Sequence, residues 1–162
     1  MKIAYIHGLE STITPDHPKI IWLNDNASET YTPQINYRNP NAFDKIFNYI
    51  KKMKPDIIVG SSMGGYFSYI IGGILGIDTV LFNPAMVGRS FDPLVPDTKY
   101  EFRDTNHSVY FGKKDRVIDG AKVREFFSFE GFGTFDFNYY NGGHRVPFDI
   151  FTTAIKNKTL NI

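Results

Sequence analysis

Short apolar runs alternate along this chain with stretches in which apolar residues recur every three or four positions. Lys2–Ile6 is an apolar run closed by His7 and Gly8, the pattern of a buried strand entering a loop. Residues 29–36 hold Tyr31, Thr32 and Ile35 around Pro33. They predict a weaker strand at a sheet edge, where a missing N–H is tolerated. Asn39-Pro40 then predicts a helix start, with Asn as cap and Pro in the first turn. Phe43, Ile46, Phe47, Ile50 and Met53 keep helical spacing opposite Asp44, Lys45, Asn48, Lys51 and Lys52, and Pro55 ends the run.

Residues 56–60 are apolar on both faces, as a central parallel strand should be. Met63–Leu75 reads as a helix that is apolar nearly all round and therefore buried. Thr79–Phe82, residues 108–111 and residues 134–139 predict three further strands. Residues 121–127 and 147–155 predict two further helices. Strands alternating with helices imply a mostly parallel sheet of about six strands with helices on both faces. Residues 86–106 break the alternation: Pro93, Pro96 and mixed charge leave no clean period. That segment is expected to cover the top of the sheet, with one short helix at most.

Composition narrows the class. The 162 residues point to one domain over 1–162, long enough for a substantial core. The chain has no cysteine, which excludes disulfides, iron–sulfur clusters and thiolate zinc sites and fits a reducing, cytoplasmic setting. Eighteen basic against 17 acidic side chains leave a net charge of +1, unlike a dedicated nucleic-acid binder with its basic stripe. Residues 63–81, the most apolar stretch, are broken by five glycines and Asp78, so no membrane span is expected. The first residues lack the long apolar region of a signal peptide.

Gly60-Ser61-Ser62-Met63-Gly64 places a G-x-S-x-G sequence between a buried strand and a buried helix. A serine on a sharp strand-to-helix turn has a strained backbone, and side chains two residues to either side would collide. Gly60 and Gly64 remove those collisions. The turn lifts the Ser62 hydroxyl above the strand ends and sets the Met63 amide at a helix N-terminus, where an oxyanion would be held. Ser61, one residue early, is expected to pack. His7-Gly8 ends the first strand, and the Leu9 amide that follows is the expected second oxyanion donor.

A serine hydroxyl needs a general base, and the base needs a carboxylate to hold its tautomer. His17 sits in a polar loop, His107 opens a strand at the wrong end of the sheet, and His7 serves the oxyanion loop. His144 remains, in Asn141-Gly142-Gly143-His144 directly after the last strand. Asp115 follows a strand through Gly112-Lys113-Lys114; Asp119 is better placed to cap the next helix, and Asp136 alternates within a strand. Ser62, Asp115 and His144 fall in the order Ser…Asp…His of the α/β-hydrolase arrangement.

These motifs resemble the small α/β-hydrolases of the YqiA-like esterase family. The likeness rests on Tyr5-Ile6-His7-Gly8 with Ser11, on Gly60 through Tyr66, on Asn83-Pro84-Ala85, on Gly112 and Asp115 with Val117, and on Gly142-Gly143-His144. The resemblance implies a compact α/β-hydrolase fold with a minimal cap and an esterase or thioesterase acting on small acyl substrates, without metal or other cofactor. Tyr66, Phe67, Phe91 and Leu94 are the candidates to line an acyl pocket. Arg145, directly after the histidine, departs from the usual small residue and puts a positive charge at the mouth. A non-catalytic binding protein of the same fold, or a triad enzyme with peptidase or acyltransferase activity, are the rival readings. Neither oligomeric state nor acyl chain length is legible.

Overall fold

In the computed structural model, which describes residues 1–9, 11–97 and 101–160, strand and helix alternate almost throughout. The order is β1 (Lys2–Ile6), α1 (Pro18–Asn26), β2 (Glu29–Tyr31), α2 (Ala42–Met53), β3 (Ile57–Ser61), α3 (Met63–Leu75), β4 (Thr79–Phe82), β5 (Asn106–Gly112), α4 (Gly120–Glu130), β6 (Thr134–Tyr140) and α5 (Phe148–Thr159). The six strands form one sheet in the order β2-β1-β3-β4-β5-β6, every neighbouring pair parallel. Side chains leave each strand alternately up and down, so each strand feeds two cores. Ala4 and Ile6 belong to the same core as Ile46 of α2, Phe67 of α3 and Phe127 of α4. Ile3 and Tyr5 belong to the same core as Leu23 of α1 and Phe151 and Ile155 of α5.

The local detail differs from the sequence pattern in several places. The sequence offers no element for residues 18–26, yet Pro18–Asn26 is helical. Only Ile20 and Leu23 are buried there while Ile21 stands exposed, which blurs the periodic signal; the Pro18 start was the available clue. Asn39 does not cap α2: its side chain accepts from the Asn41 amide at 2.9 Å in a preceding turn, and the helix begins at Ala42. The second strand shrinks to Glu29–Tyr31 at the sheet edge. Segment 86–106 has no regular element from 86 to 97, and residues 98–100 lie outside the described residues. Among the described residues of the segment, the Arg103 amide ties it to α3 by donating to the Gly73 carbonyl at 2.8 Å. Among the described residues, no helix is long and apolar enough to cross a membrane.

His107 illustrates a buried titratable group at the end of the sheet remote from the elbow. It is 1% exposed, its Nδ1 lies 2.8 Å from the Thr79 hydroxyl, and its ring stacks on Phe135. Burial is the main cause that pushes the imidazole down to about 4, against an unfolded value of about 6.5. Between those two values the unfolded chain binds a proton that the folded chain refuses, so stability falls as pH is lowered through this window and levels off below it. The full effect is ~3 kcal/mol. Thermal melts from pH 7 to pH 4 should show this decline, and His107→Phe should flatten it. An equal slope in that variant would refute the assignment.

Candidate active site

In a parallel sheet the crevice for a ligand opens at the carboxyl ends of the strands, where the strand order reverses. Here that point lies between β1 and β3, and each of these strands ends in a glycine-bearing turn. After β3 the chain turns sharply at Ser62, whose φ is 53° and ψ −117°, a sparsely populated conformation for a residue with a side chain. Neighbouring backbone over-determines it. The Ser62 amide donates to the Phe82 carbonyl at 2.9 Å, and its carbonyl accepts from Ala85 at 3.0 Å and Tyr66 at 3.1 Å. A Cβ on Gly64 would run into the Ile6 carbonyl, and one on Gly60 into Ser68 and the backbone of Gly64. The two glycines therefore let α3 start directly against β1.

The turn places the Ser62 hydroxyl where two other loops converge. His144 Nε2 lies 3.1 Å from Ser62 Oγ, and His144 Nδ1 lies 2.8 Å from Asp115 Oδ2. The Asp115 side chain is 3% exposed and His144 is 24% exposed. The other carboxylate oxygen, Oδ1, accepts the amides of Val117 at 2.8 Å and Ile118 at 3.0 Å. Both carboxylate oxygens are thus occupied, which fixes the plane of the acid and leaves His144 one orientation. Ser61 lines the same cleft, but the imidazole reaches Ser62. Asp119 accepts the Ala121 and Lys122 amides as the cap of α4, and Asp136 is exposed on β6.

Two backbone segments lie beside the serine. Met63 is the first residue of α3, so its N–H has no partner within the helix. The Gly8–Leu9 peptide runs alongside: a Cβ on Gly8 would stand 3.3 Å from that of Ser62. His7 braces this turn. Its Nε2 accepts the Ile35 amide at 2.8 Å, so Nδ1 carries the proton and donates to the Gly8 carbonyl at 2.6 Å. Burial holds the imidazole below its ordinary pKa, which keeps it neutral in that tautomer. Tyr37 donates its hydroxyl to the His7 carbonyl.

Asn83, part of the Asn83-Pro84-Ala85 likeness, carries a role that its sequence does not state. It follows β4 with φ at 44°, is 1% exposed, and spends its whole side-chain amide on the two neighbouring loops. Its Oδ1 accepts the Gly112 amide at 2.8 Å, and its Nδ2 donates to the Tyr140 hydroxyl at 2.6 Å and the His144 carbonyl at 2.8 Å. The Lys114 amide adds a direct tie to Gly142 at 2.9 Å. The acid loop and the histidine loop are therefore clamped to the strand beside the elbow. A polar residue between an apolar strand and Pro84 was the available signal.

Above Ser62 lies a cleft of about 650 Å³. Tyr5, Ser11, Thr12 and Ile13 form one side, His17 and Lys19 the start of α1, and Arg145 and Val146 the wall beyond His144. The expected acyl-pocket residues are elsewhere. Phe67 is fully buried in the core, Leu94 is 67% exposed, Phe91 lies under the Arg38 guanidinium and Tyr66 under that of Arg89. Segment 86–106 contributes no lining to this cleft among the described residues; Met86, Val95, Pro96 and Phe102 line a separate groove with Tyr66, Tyr69 and Ile70 of α3. His17, read as a bystander, caps α1 through Nδ1 at 3.2 Å from the Lys19 amide and faces the cleft.

Comparison with known proteins agrees with this architecture. Residues 2–124 match the model of a family described as "Uncharacterised protein family (UPF0227)". A UPF0227 protein of Vibrio parahaemolyticus is 27% identical over 144 residues, which cover 75% of this chain and 79% of that relative. Est1E of Butyrivibrio proteoclasticus, solved with ferulic acid bound, superposes with a TM-score of 0.74 at 14% identity, over 99% of this chain and 88% of that one. RedJ, a thioesterase of the prodiginine pathway in Streptomyces coelicolor, gives a TM-score of 0.66 at 10% identity, over 98% and 89%. The fold is that of the α/β-hydrolases.

Proposed function

The chain belongs to the UPF0227 family, the family of the YqiA-like proteins, and on that premise we propose that it is a serine hydrolase of carboxylic esters or thioesters. The observation that carries this reading is the relay Ser62 Oγ–His144–Asp115, with spacings of 3.1 and 2.8 Å. His144 takes the Ser62 proton as the oxygen attacks the acyl carbonyl, and Asp115 stabilises the imidazolium that forms. The amides of Met63 and Leu9 hold the oxyanion, each worth about 3–4 kcal/mol of transition-state stabilisation. His144 then returns the proton to the leaving alcohol or thiol, and water, activated by the same base, releases the acid from Ser62.

A fluorophosphonate probe should label the intact chain once, on the peptide that contains Ser62. The chain should also hydrolyse p-nitrophenyl esters and acyl thioesters graded in acyl length. A well-folded chain inert to the probe and to the whole series would instead favour a non-catalytic binding protein.

Asn83→Ala tests whether the clamp positions the base. It leaves the Gly112 amide, the Tyr140 hydroxyl and the His144 carbonyl without their shared partner and should lower the denaturation free energy by about 2 kcal/mol. Release of the histidine loop should lower kcat by about 10²-fold with a smaller change in KM. A kcat equal to that of the unaltered chain, despite the lost stability, would make Asn83 purely structural.

A further inference from the structure

Among the described residues, the charged side chains that line the cleft above Ser62 are Lys19 and Arg145, with the histidines His7, His17 and His144 beside them. Lys19, in the first turn of α1, and Arg145, next to His144, both line it, and no aspartate or glutamate does among the described residues. Elsewhere in the fold Lys2 pairs with Glu29, Arg89 with Asp92, and Lys158 with Asp78. Among the described residues, neither Lys19 nor Arg145 has such a partner. Lys19 is also held in place. Its ammonium donates to the Val146 carbonyl at 3.0 Å and lies 5.0 Å from the centroid of the Phe151 ring, so the stem is packed and the charge stays at the rim. Burial, and after it the Arg145 charge, push this ammonium down to about 8. Two cations kept together in a partly desolvated rim repel each other, and an anion supplied from outside relieves that repulsion. The hydroxyls of Ser11 and Thr12 on the facing side offer further hydrogen-bond donors.

We infer that the cleft takes an ester or thioester that itself carries an anionic group, a carboxylate or a phosphate, which docks on Lys19 and Arg145 while the acyl carbonyl faces Ser62. This specificity rests on the reading of Ser62 as nucleophile. The reaction remains hydrolysis: the acyl–oxygen or acyl–sulfur bond breaks, water supplies the new oxygen, and the anionic group passes through unchanged.

Matched esters test it. The p-nitrophenyl monoester of glutaric acid should be hydrolysed with kcat/KM about ten-fold above that of p-nitrophenyl pentanoate, its neutral counterpart of similar length. A p-nitrophenyl ester with a terminal phosphonate serves as the phosphate arm, and its rank against the glutarate ester tells which anion is preferred. The preference should shrink toward unity with added salt and in the Lys19→Gln/Arg145→Gln double variant. Lys51→Gln, on the exposed side of α2, should retain it. Both charged esters reacting no faster than the neutral one, or a preference that survives the double substitution, would overturn the inference. If no ester is turned over, the hydrolase reading fails separately, and binding decides the subsite. Glutarate and methylphosphonate are then titrated into the Ser62→Ala chain while the amide resonances of Lys19, Arg145 and Val146 are followed. Saturable shifts that vanish on adding the double substitution support the subsite, and their absence for both anions overturns it.

Discussion

Replacing Ser62 by alanine should lower ester turnover by a factor on the order of 10⁶ and abolish labelling by a fluorophosphonate. The fold should survive, because the contacts that hold the turn are backbone contacts. The Ser62 amide to Phe82 and its carbonyl to Ala85 and Tyr66 remain in the variant, and alanine meets the same φ of 53° with no greater penalty than serine. The hydroxyl makes no cap to α3, so its removal leaves no helix amide newly unpaired. What is lost is the atom that His144 Nε2 faces at 3.1 Å. Residual acceleration over water should persist through the two amides and the cleft. The measurement is kcat/KM on a p-nitrophenyl ester together with probe labelling and a thermal melt. Labelling that persists in Ser62→Ala and disappears in Ser61→Ala would transfer the role one residue upstream.

Asp115→Asn should lower kcat by about 10⁴-fold without unfolding the chain. The reason is specific to this loop. The Val117 and Ile118 amides both donate to Oδ1, so an asparagine must turn its carbonyl oxygen toward them. Its NH₂ then occupies the place of Oδ2, 2.8 Å from His144 Nδ1, and donates where the carboxylate accepted. The imidazole is forced to carry its proton on Nε2, which makes it a donor toward Ser62 and removes the base. The rate of probe labelling should fall with kcat, since both need the same proton transfer. Asp119→Asn is the matched control: its side chain only caps α4, and turnover should stay near that of the unaltered chain. A kcat within ten-fold of normal in Asp115→Asn would remove Asp115 from the relay.

The elbow was legible because its chemistry is compressed into five residues with a strand before and a helix after. Met63–Leu75 emerges with its expected limits, since an all-apolar helix offers only one way to be satisfied, inside. Asp119 was separable from Asp115 because capping follows from position at a helix start. Helix α1 was not legible, since Ile21 and Trp22 interrupt the apolar period and only tertiary packing against Phe151 makes the turn worthwhile. The role of Asn83 was hidden for a related reason. Its three partners lie 29 to 61 positions away, and nothing beside it in the chain asks for an amide.

Alternating periodicity and turn chemistry, which act over a few residues, were enough to specify a parallel α/β sheet, the serine on its strained turn, and the loops that carry an acid and a histidine. The distances among these groups are another matter. Ser62 and His144 are 82 positions apart, and they meet because the strand order and register set the heights at which their loops leave the sheet. The walls of the cleft follow the same logic: the segment with room to form a cover lines a separate groove with α3, while α1 brings Lys19 beside Arg145 from 126 positions away. Packing energy, summed over contacts remote in sequence, sets which side chains surround the serine, and no local pattern records that sum.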